Sequence, residues 1–422
     1  MKVAYKSGVL YSSVLTIMFL LNCSPKVRIN GGGYTSVEIL KSDVVMLASD
    51  EFEGREVGTP GEYKAALFIS GRMSDIGLQP VGVDGYWQYF SKRMKANPHS
   101  QDDHPDDKVI EGRNVIGLLD NGSDQYVVIG AHYDHLGYGE QGSLHSGERA
   151  IHHGADDNAS GVAILLNLAS KLADNGKKEH YNYLFIAFSG EEKGLWGSNF
   201  FVKNPPFELD KINYMINMDM VGRLNHEKSL AVHGTGTSSV FPAILSEYNR
   251  YGFDLILSES GVGPSDHTSF YLENIPVLHF FTGQHADYHK PSDTPEKLNY
   301  AGMMAISDYI YDLIIDLDKS KKLPFIKTKD ESRDSPRFQV TLGVIPDYLY
   351  QGKGMRVDGV REGKPAYIGG LVKGDIIVKM DDLDIVDMMT YMEALAHFSS
   401  GQSIAITILR GNEPIIKTLT FD

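Results

Sequence analysis

Five segments of this chain each place a His, Asp or Glu just after an apolar, strand-like run. They are Ala131-His132-Tyr133-Asp134-His135, Ala155-Asp156-Asp157-Asn158-Ala159-Ser160-Gly161, Ser189-Gly190-Glu191-Glu192, Asn217-Met218-Asp219-Met220 and Asp287-Tyr288-His289. Open α/β sheets gather their ligands outside the carboxyl ends of their strands, so this recurrence constrains the chain to a sheet whose strand ends converge. Any one of these residues alone reads as a solvated side chain. The ordered set, rich in carboxylate with two imidazoles and one spare Glu, suits a co-catalytic pair of metal ions.

The rest of the pattern agrees with that constraint. From Val37 to about Lys319, short β-branched or aromatic runs alternate with longer helical ones. Strands are expected at Val115–Leu119, Tyr126–Ala131, Tyr183–Phe188, Tyr214–Met218, Leu230–His233 and Val277–Phe281. Helices are expected at Gly61–Ile76, Gly161–Ala173, Val240–Tyr251 and Pro295–Leu317. Such alternation predicts an α/β three-layer sandwich with a mixed, largely parallel central sheet. A length of 422 residues exceeds the usual size of one core. The charged, weakly periodic stretch 319–337 reads as a linker between a body at 37–318 and a small strand-rich unit at 338–422. Residues 98–108, with Asp102-Asp103 and Asp106-Asp107 around Pro105, read as an exposed acidic loop. A net charge of −15 argues against a nucleic-acid partner, which calls for a basic patch or stripe.

The N-terminus has its own logic. Lys2 and Lys6 precede an apolar run from Val9 to Leu21, followed by Asn22-Cys23-Ser24. This is a signal-peptide layout over residues 1–22, too short and wrongly flanked for an ordinary membrane span. The Leu-Leu-Asn-Cys ending resembles a bacterial lipoprotein signal. By that resemblance Cys23 is lipidated and residues 23–36, with their Gly triplet, form a tether. The alternative is a plain secretory signal with an incidental Cys. The expected location is the bacterial cell envelope, on its periplasmic or outer surface, anchored to the membrane by lipid.

Together the five segments, in their order, resemble the co-catalytic zinc aminopeptidases related to bacterial leucine aminopeptidase and to glutamate carboxypeptidase II. The resemblance covers roughly residues 40–318. It implies two zinc ions per chain, one held by His132 and Asp219, the other by Glu192 and His289, with Asp157 bridging them. Asp157 rather than Asp156 is chosen because the family ligand lies four residues before the Gly of the Ser-Gly step, here Gly161. The same resemblance implies a cis Asp157–Asn158 bond. It also implies a dizinc-bound hydroxide with Glu191 as general base and acid, since a carboxylate must carry the proton from water to the leaving amine. Asp134, two residues after His132, is placed to accept the other N–H of that imidazole and fix its tautomer. Tyr288 is a candidate donor to the oxyanion, against a packing role. Phe270, Tyr271 and Phe281 hint at an apolar substrate pocket.

Residues 338–422 resemble a PDZ domain, with Thr341-Leu342-Gly343-Val344 as the carboxylate-binding loop and Gly363-Lys364-Pro365-Ala366 further on. By that resemblance the backbone of Leu342, Gly343 and Val344 would hold the C-terminal carboxylate of a peptide ligand added to a sheet edge. A domain that only packs is the alternative. The expected activity is a zinc-dependent exopeptidase on peptide substrates, in first place an aminopeptidase. Carboxypeptidase or dipeptidase action on the same scaffold, and a non-catalytic PDZ-bearing surface lipoprotein that binds peptides, are the rivals.

Overall fold

Period-two burial organises the central sheet. Val127, Ile129 and Ala131 enter one apolar cluster while Val128 enters another, and the next strand repeats this with Tyr183, Phe185 and Ala187 against Leu184, Ile186 and Phe188. Both faces of these strands are therefore covered, as continuous apolar runs require. The computed structural model describes residue 1 and residues 36–94, 108–328, 340–347, 350, 352–361, 363–411 and 413–421. Cys23, nearly all of the expected leader, of the tether and of the acidic loop, and residues 329–337 of the linker lie outside the described residues.

The strands of this sheet are β1 (Gln79–Pro80), β2 (Trp87–Met94), β3 (Lys108–Leu119), β4 (Tyr126–His132), β5 (Asn182–Phe188), β6 (Ile212–Met218), β7 (Ser229–His233), β8 (Asp254–Ser258) and β9 (Val277–Phe281). Their order is β1-β3-β5-β4-β6-β9-β7-β8, with β2 paired to β3. β5, β4, β6 and β9 run parallel to one another in the centre, and the antiparallel pairings flank them. All four central strands thus end on one edge, where their following residues meet.

The helices α1 (Val37–Leu47), α2 (Pro60–Ile76), α3 (Gly161–Asp174), α4 (Trp196–Lys203), α5 (Phe241–Glu247), α6 (His267–Tyr271) and α7 (Tyr300–Leu317) complete the three layers. α1, α2, α3, α5 and α7 contribute to one apolar cluster, and α4 and α6 to the other. α2 starts where the Thr59 side chain accepts the Glu62 N–H with Pro60 in the first turn, and stops at Gly77, whose φ of +94° suits glycine. The sandwich expected from the sequence is the fold observed. Two expected helices are shorter. The first is confined to α5, and Pro295–Leu317 divides into a 3₁₀ turn at Pro295–Lys297 and α7, because the Asn299 side chain accepts the Gly302 N–H and caps a new start. β1, β2 and β8 escaped the sequence reading; no residue of β8 is buried and the strand lacks clean alternation.

The second sheet is wholly antiparallel: Val344–Pro346, Met355–Val360, Ile376–Met380, Ser403–Arg410 and Glu413–Thr420 in that order, with Leu383–Asp384 on the third. It has its own core, including Leu342, Met355, Ile377, Ile406 and Tyr391 from the helix Met388–Leu395. Val344 opens an edge strand, as strand addition requires. Leu342 is fully buried, and the Gly343 N–H, at φ +72°, is engaged by the Thr341 hydroxyl at 3.0 Å.

Candidate metal centre

Each candidate ligand is delivered by a separate piece of the sheet edge. His132 is the last residue of β4, and its Nδ1 donates to the Asp134 carbonyl at 3.2 Å, leaving Nε2 to face the centre. The Asp134 carboxylate, expected on that imidazole, lies farther from it at 3.6 Å. It instead accepts the amide N–H groups of Glu191 and Glu192 at 3.1 and 3.3 Å, just beyond β5. Asp219 follows β6, its N–H donating to the Phe280 carbonyl. His289 comes from a loop, with Nδ1 donating to the Gly142 carbonyl at 2.9 Å and its own carbonyl accepting the Leu144 N–H.

Asp157 lies in the distorted turn Ala155–Ser160 ahead of α3, and the Asp157–Asn158 bond is cis. Asn158 secures that turn, donating to the Met218 carbonyl and accepting from Gly161 and Met220. A Cβ at Gly161 would stand 2.5 Å from the Met218 carbonyl oxygen, so the helix can start this close to β6 only with glycine there. The Asp156 and Asp157 N–H groups both donate to one oxygen of Asp293, at 2.9 and 3.1 Å.

The consequence is a carboxylate with one oxygen turned to each side. Asp157 Oδ1 is 3.4 Å from His132 Nε2, which is also 3.2 Å from Asp219 Oδ1. Asp157 Oδ2 is 3.3 Å from His289 Nε2, which is 3.2 Å from Glu192 Oε2. A tetrahedral ion with bonds of about 2.0–2.1 Å sets its donors about 3.3 Å apart. The spacing and the chemistry of the donors therefore fit two zinc-type ions, His132, Asp157 and Asp219 on one side and Asp157, Glu192 and His289 on the other. Glu191, outside both groups, approaches His132 Nε2 only to 4.0 Å.

Electrostatics separates the adjacent glutamates. Burial, reinforced by the charges of Asp219, Glu192 and Asp266 against the pull of His132, pushes Glu191 well above the usual carboxylate range. Burial also opposes ionisation of Glu192, but His289 and His135 outweigh it and hold that carboxyl well below the usual range. One is disposed to carry a proton, the other to stay ionised.

Sequence reasoning missed three residues. His135 Nδ1 lies 2.8 Å from Glu192 Oε1 and 3.8 Å from Asp157 Oδ2, inside the centre. Arg55 is fully buried and donates to the carbonyls of Leu47, Tyr133, His153 and Gly154, joining the loops that carry His132 and Asp157. Burial lowers its guanidinium to about 10, opposed by the nearby carboxylates of Asp157, Asp134, Asp293 and Glu192. Asp293 is the third. His135 had a sequence signal in its position beside His132; Arg55 and Asp293 had none.

A cavity opens on the centre, lined by Met220, His233, Pro264, His279, Phe281, Gln284 and Tyr288. The Tyr288 ring stacks on His289 at 3.8 Å between centroids. Of the three aromatics expected in a pocket, only Phe281 lines it. Phe270 and Tyr271 belong to the core on the face of α4 and α6, where Phe270 packs on Phe188 and Phe201. His267 is buried and stacked on His279 at 4.4 Å, outside both ligand groups.

The model of peptidase family M28 matches residues 114–314, and that of the PDZ domain matches residues 326–419. The α/β body is thus similar to peptidase family M28, and the strand-rich unit after it is similar to a PDZ domain. It is 27% identical to "Aminopeptidase YwaD" of Bacillus subtilis, over 54% of this chain and 50% of that protein. It is 31% identical to "Leupeptin-inactivating enzyme 1" of Streptomyces exfoliatus, over 44% and 39% respectively. The chain spans about half or less of the length of these relatives. The solved zinc aminopeptidase BSAP from Bacillus subtilis shares the fold, at a TM-score of 0.51 and 19% identity over 71% of this chain and 100% of that one. The glutaminyl cyclase of Porphyromonas gingivalis shares it equally, at 0.53 and 17% over 68% and 99%.

Proposed function

We propose that this chain is a zinc-dependent exopeptidase, and specifically an aminopeptidase using two ions. The observation that carries the reading is Asp157, whose two oxygens face His132 and His289 at 3.4 and 3.3 Å with Glu191 alongside. His132, Asp157 and Asp219 would hold one ion, and Asp157, Glu192 and His289 the other. When bound, such ions polarise a carbonyl and bring the pKa of water from about 16 towards about 7.

The chain's own residues supply the rest. Glu191 takes a proton from the attacking water and returns it to the departing amine, a role its raised proton affinity supports. Asp134 holds the amides of Glu191 and Glu192, so the two carboxylates diverge from fixed points. The cavity wall of Met220, Phe281 and Tyr288 shields the reacting bond from bulk water and receives a side chain. Tyr288, which lines that cavity, would donate its hydroxyl to the developing negative charge. In the PDZ domain, the edge strand from Val344 supports capture of a peptide C-terminus by Leu342, Gly343 and Val344.

The test is metal content and leucine-anilide hydrolysis of the protein from Ser24 onward, beside Glu191→Ala. Two zinc per chain, with activity lost and metal kept in the variant, is the expected result. Two zinc with turnover only on peptides with a free C-terminus would move the reaction to carboxypeptidase chemistry. No metal in a zinc-replete preparation would overturn the proposal.

A further inference from the structure

The centre contains one imidazole more than a two-His arrangement accounts for. His135 Nδ1 stands 2.8 Å from Glu192 Oε1 and 3.8 Å from Asp157 Oδ2, on the side that His289 approaches at 3.2 and 3.3 Å. These four separations bracket the donor spacing of about 3.3 Å around a tetrahedral ion. The ring is fully buried and its orientation is confined, since a Cβ at Gly154 would stand 2.6 Å from its Cγ and Cδ2. Its Nδ1, by contrast with Nε2, which has no hydrogen-bond partner among the described residues, meets carboxylate oxygens of the centre.

We propose that His135 is a ligand, through Nδ1, of the ion held by Asp157, Glu192 and His289. This rests on the two-ion reading above and makes the two positions unequal. One has a single imidazole and two carboxylates, His132 with Asp157 and Asp219. The other has two imidazoles and two carboxylates. The nitrogen-richer position fills first and releases its ion last, and it favours metals that prefer imidazole.

The rival role for the ring, a hydrogen bond from Nδ1–H that only orients Glu192, is separable. Asparagine at 135 places an amide N–H near the Nδ1 position and can donate to Glu192, but it is a poor ligand for zinc or cobalt. The protein is labelled with ¹⁵N at its histidine rings and loaded with Co²⁺. Each ligating imidazole then gives one hyperfine-shifted N–H signal from its remote nitrogen. Three signals are expected in the parent, with one lost in both His135→Ala and His135→Asn. Competition with a chelating dye should show the tighter of two sites weakened by about tenfold or more in both variants, with the other site retained. Metal-free melting curves establish that the variants are folded. Two signals in the parent, both kept in His135→Asn with both affinities unchanged, would overturn the proposal while leaving the two-ion reading intact. A parent that takes up no cobalt or zinc would overturn both.

Discussion

The two halves of this chain bury acid in opposite ways. In the PDZ domain Asp375 is almost wholly enclosed, yet it receives Nε and Nη2 of Arg410 at 2.7 and 2.8 Å and the Val372 N–H at 2.9 Å. Burial works against its ionised form, but Arg410 and the amide prevail and hold its carboxyl below the usual range. At the α/β sheet edge, Asp157, Glu191, Glu192 and Asp219 crowd together around imidazoles, and Glu191 is driven the other way. The first arrangement is complete in itself, while the second is short of positive charge. An enclosed carboxylate marks function only where the fold leaves it without its own cation.

That contrast can be broken or sharpened by experiment. The largest effect should come from chelation, which should abolish peptide hydrolysis and destabilise the α/β body by about 4 kcal/mol for each ion removed, relative to protein at a thousandfold excess of zinc over the dissociation constant. Calorimetry showing no change on zinc removal would mean that the crowded carboxylates tolerate one another unaided. Next, Glu191→Gln should lower kcat by about 10²–10⁴-fold, with KM and bound metal little changed. A rise in KM alone would assign Glu191 to substrate binding instead. Arg55→Met should cost about 3–5 kcal/mol of stability, since it strips donors from four buried carbonyls. Denaturant melts of the metal-free protein would read this, and a neutral result would mean that neighbouring donors replace the guanidinium.

The smallest effect belongs to the self-sufficient pair. Because folding depresses the Asp375 pKa, its stabilisation is complete above the ordinary value of 3.8 and is lost as the pH falls through the lower folded value. Protection of the Val372 and Asp375 amides, taken relative to their intrinsic exchange rates, should therefore fall only below about pH 4, and Arg410→Ala should remove that pH dependence. Protection already lost at neutral pH in the parent would show that the pair does not hold the turn.

The sheet was readable because its central strands are covered on both faces, so Tyr126–Ala131 and Tyr183–Phe188 stand out as unbroken apolar runs. The residues now gathered around Asp157 were nameable for a related reason, each following such a run or sitting in a recognisable short motif. Arg55 was not, since its significance lies in carbonyls as distant as Tyr133 and Gly154, and carbonyls leave no mark on composition. His135 stood in plain view beside His132 but belongs to the opposite group of donors, a sorting that only the path of the chain after β4 decides. The break between Pro295 and α7 was hidden by apolar spacing that runs through both pieces. For Asp134, the sequence located the right residue near His132 but exchanged the work of its carbonyl and carboxylate.

Asp134 reaches His132 with its carbonyl and, with its carboxylate, the backbone at both Glu191 and Glu192. A single change there would be felt by an imidazole and two acids at once. In an exhaustive survey of point variants, this position should score as intolerantly as those of the donors themselves. Such a survey measures how many essential parts share a support, and it would rank a residue that meets neither metal nor peptide among those that do.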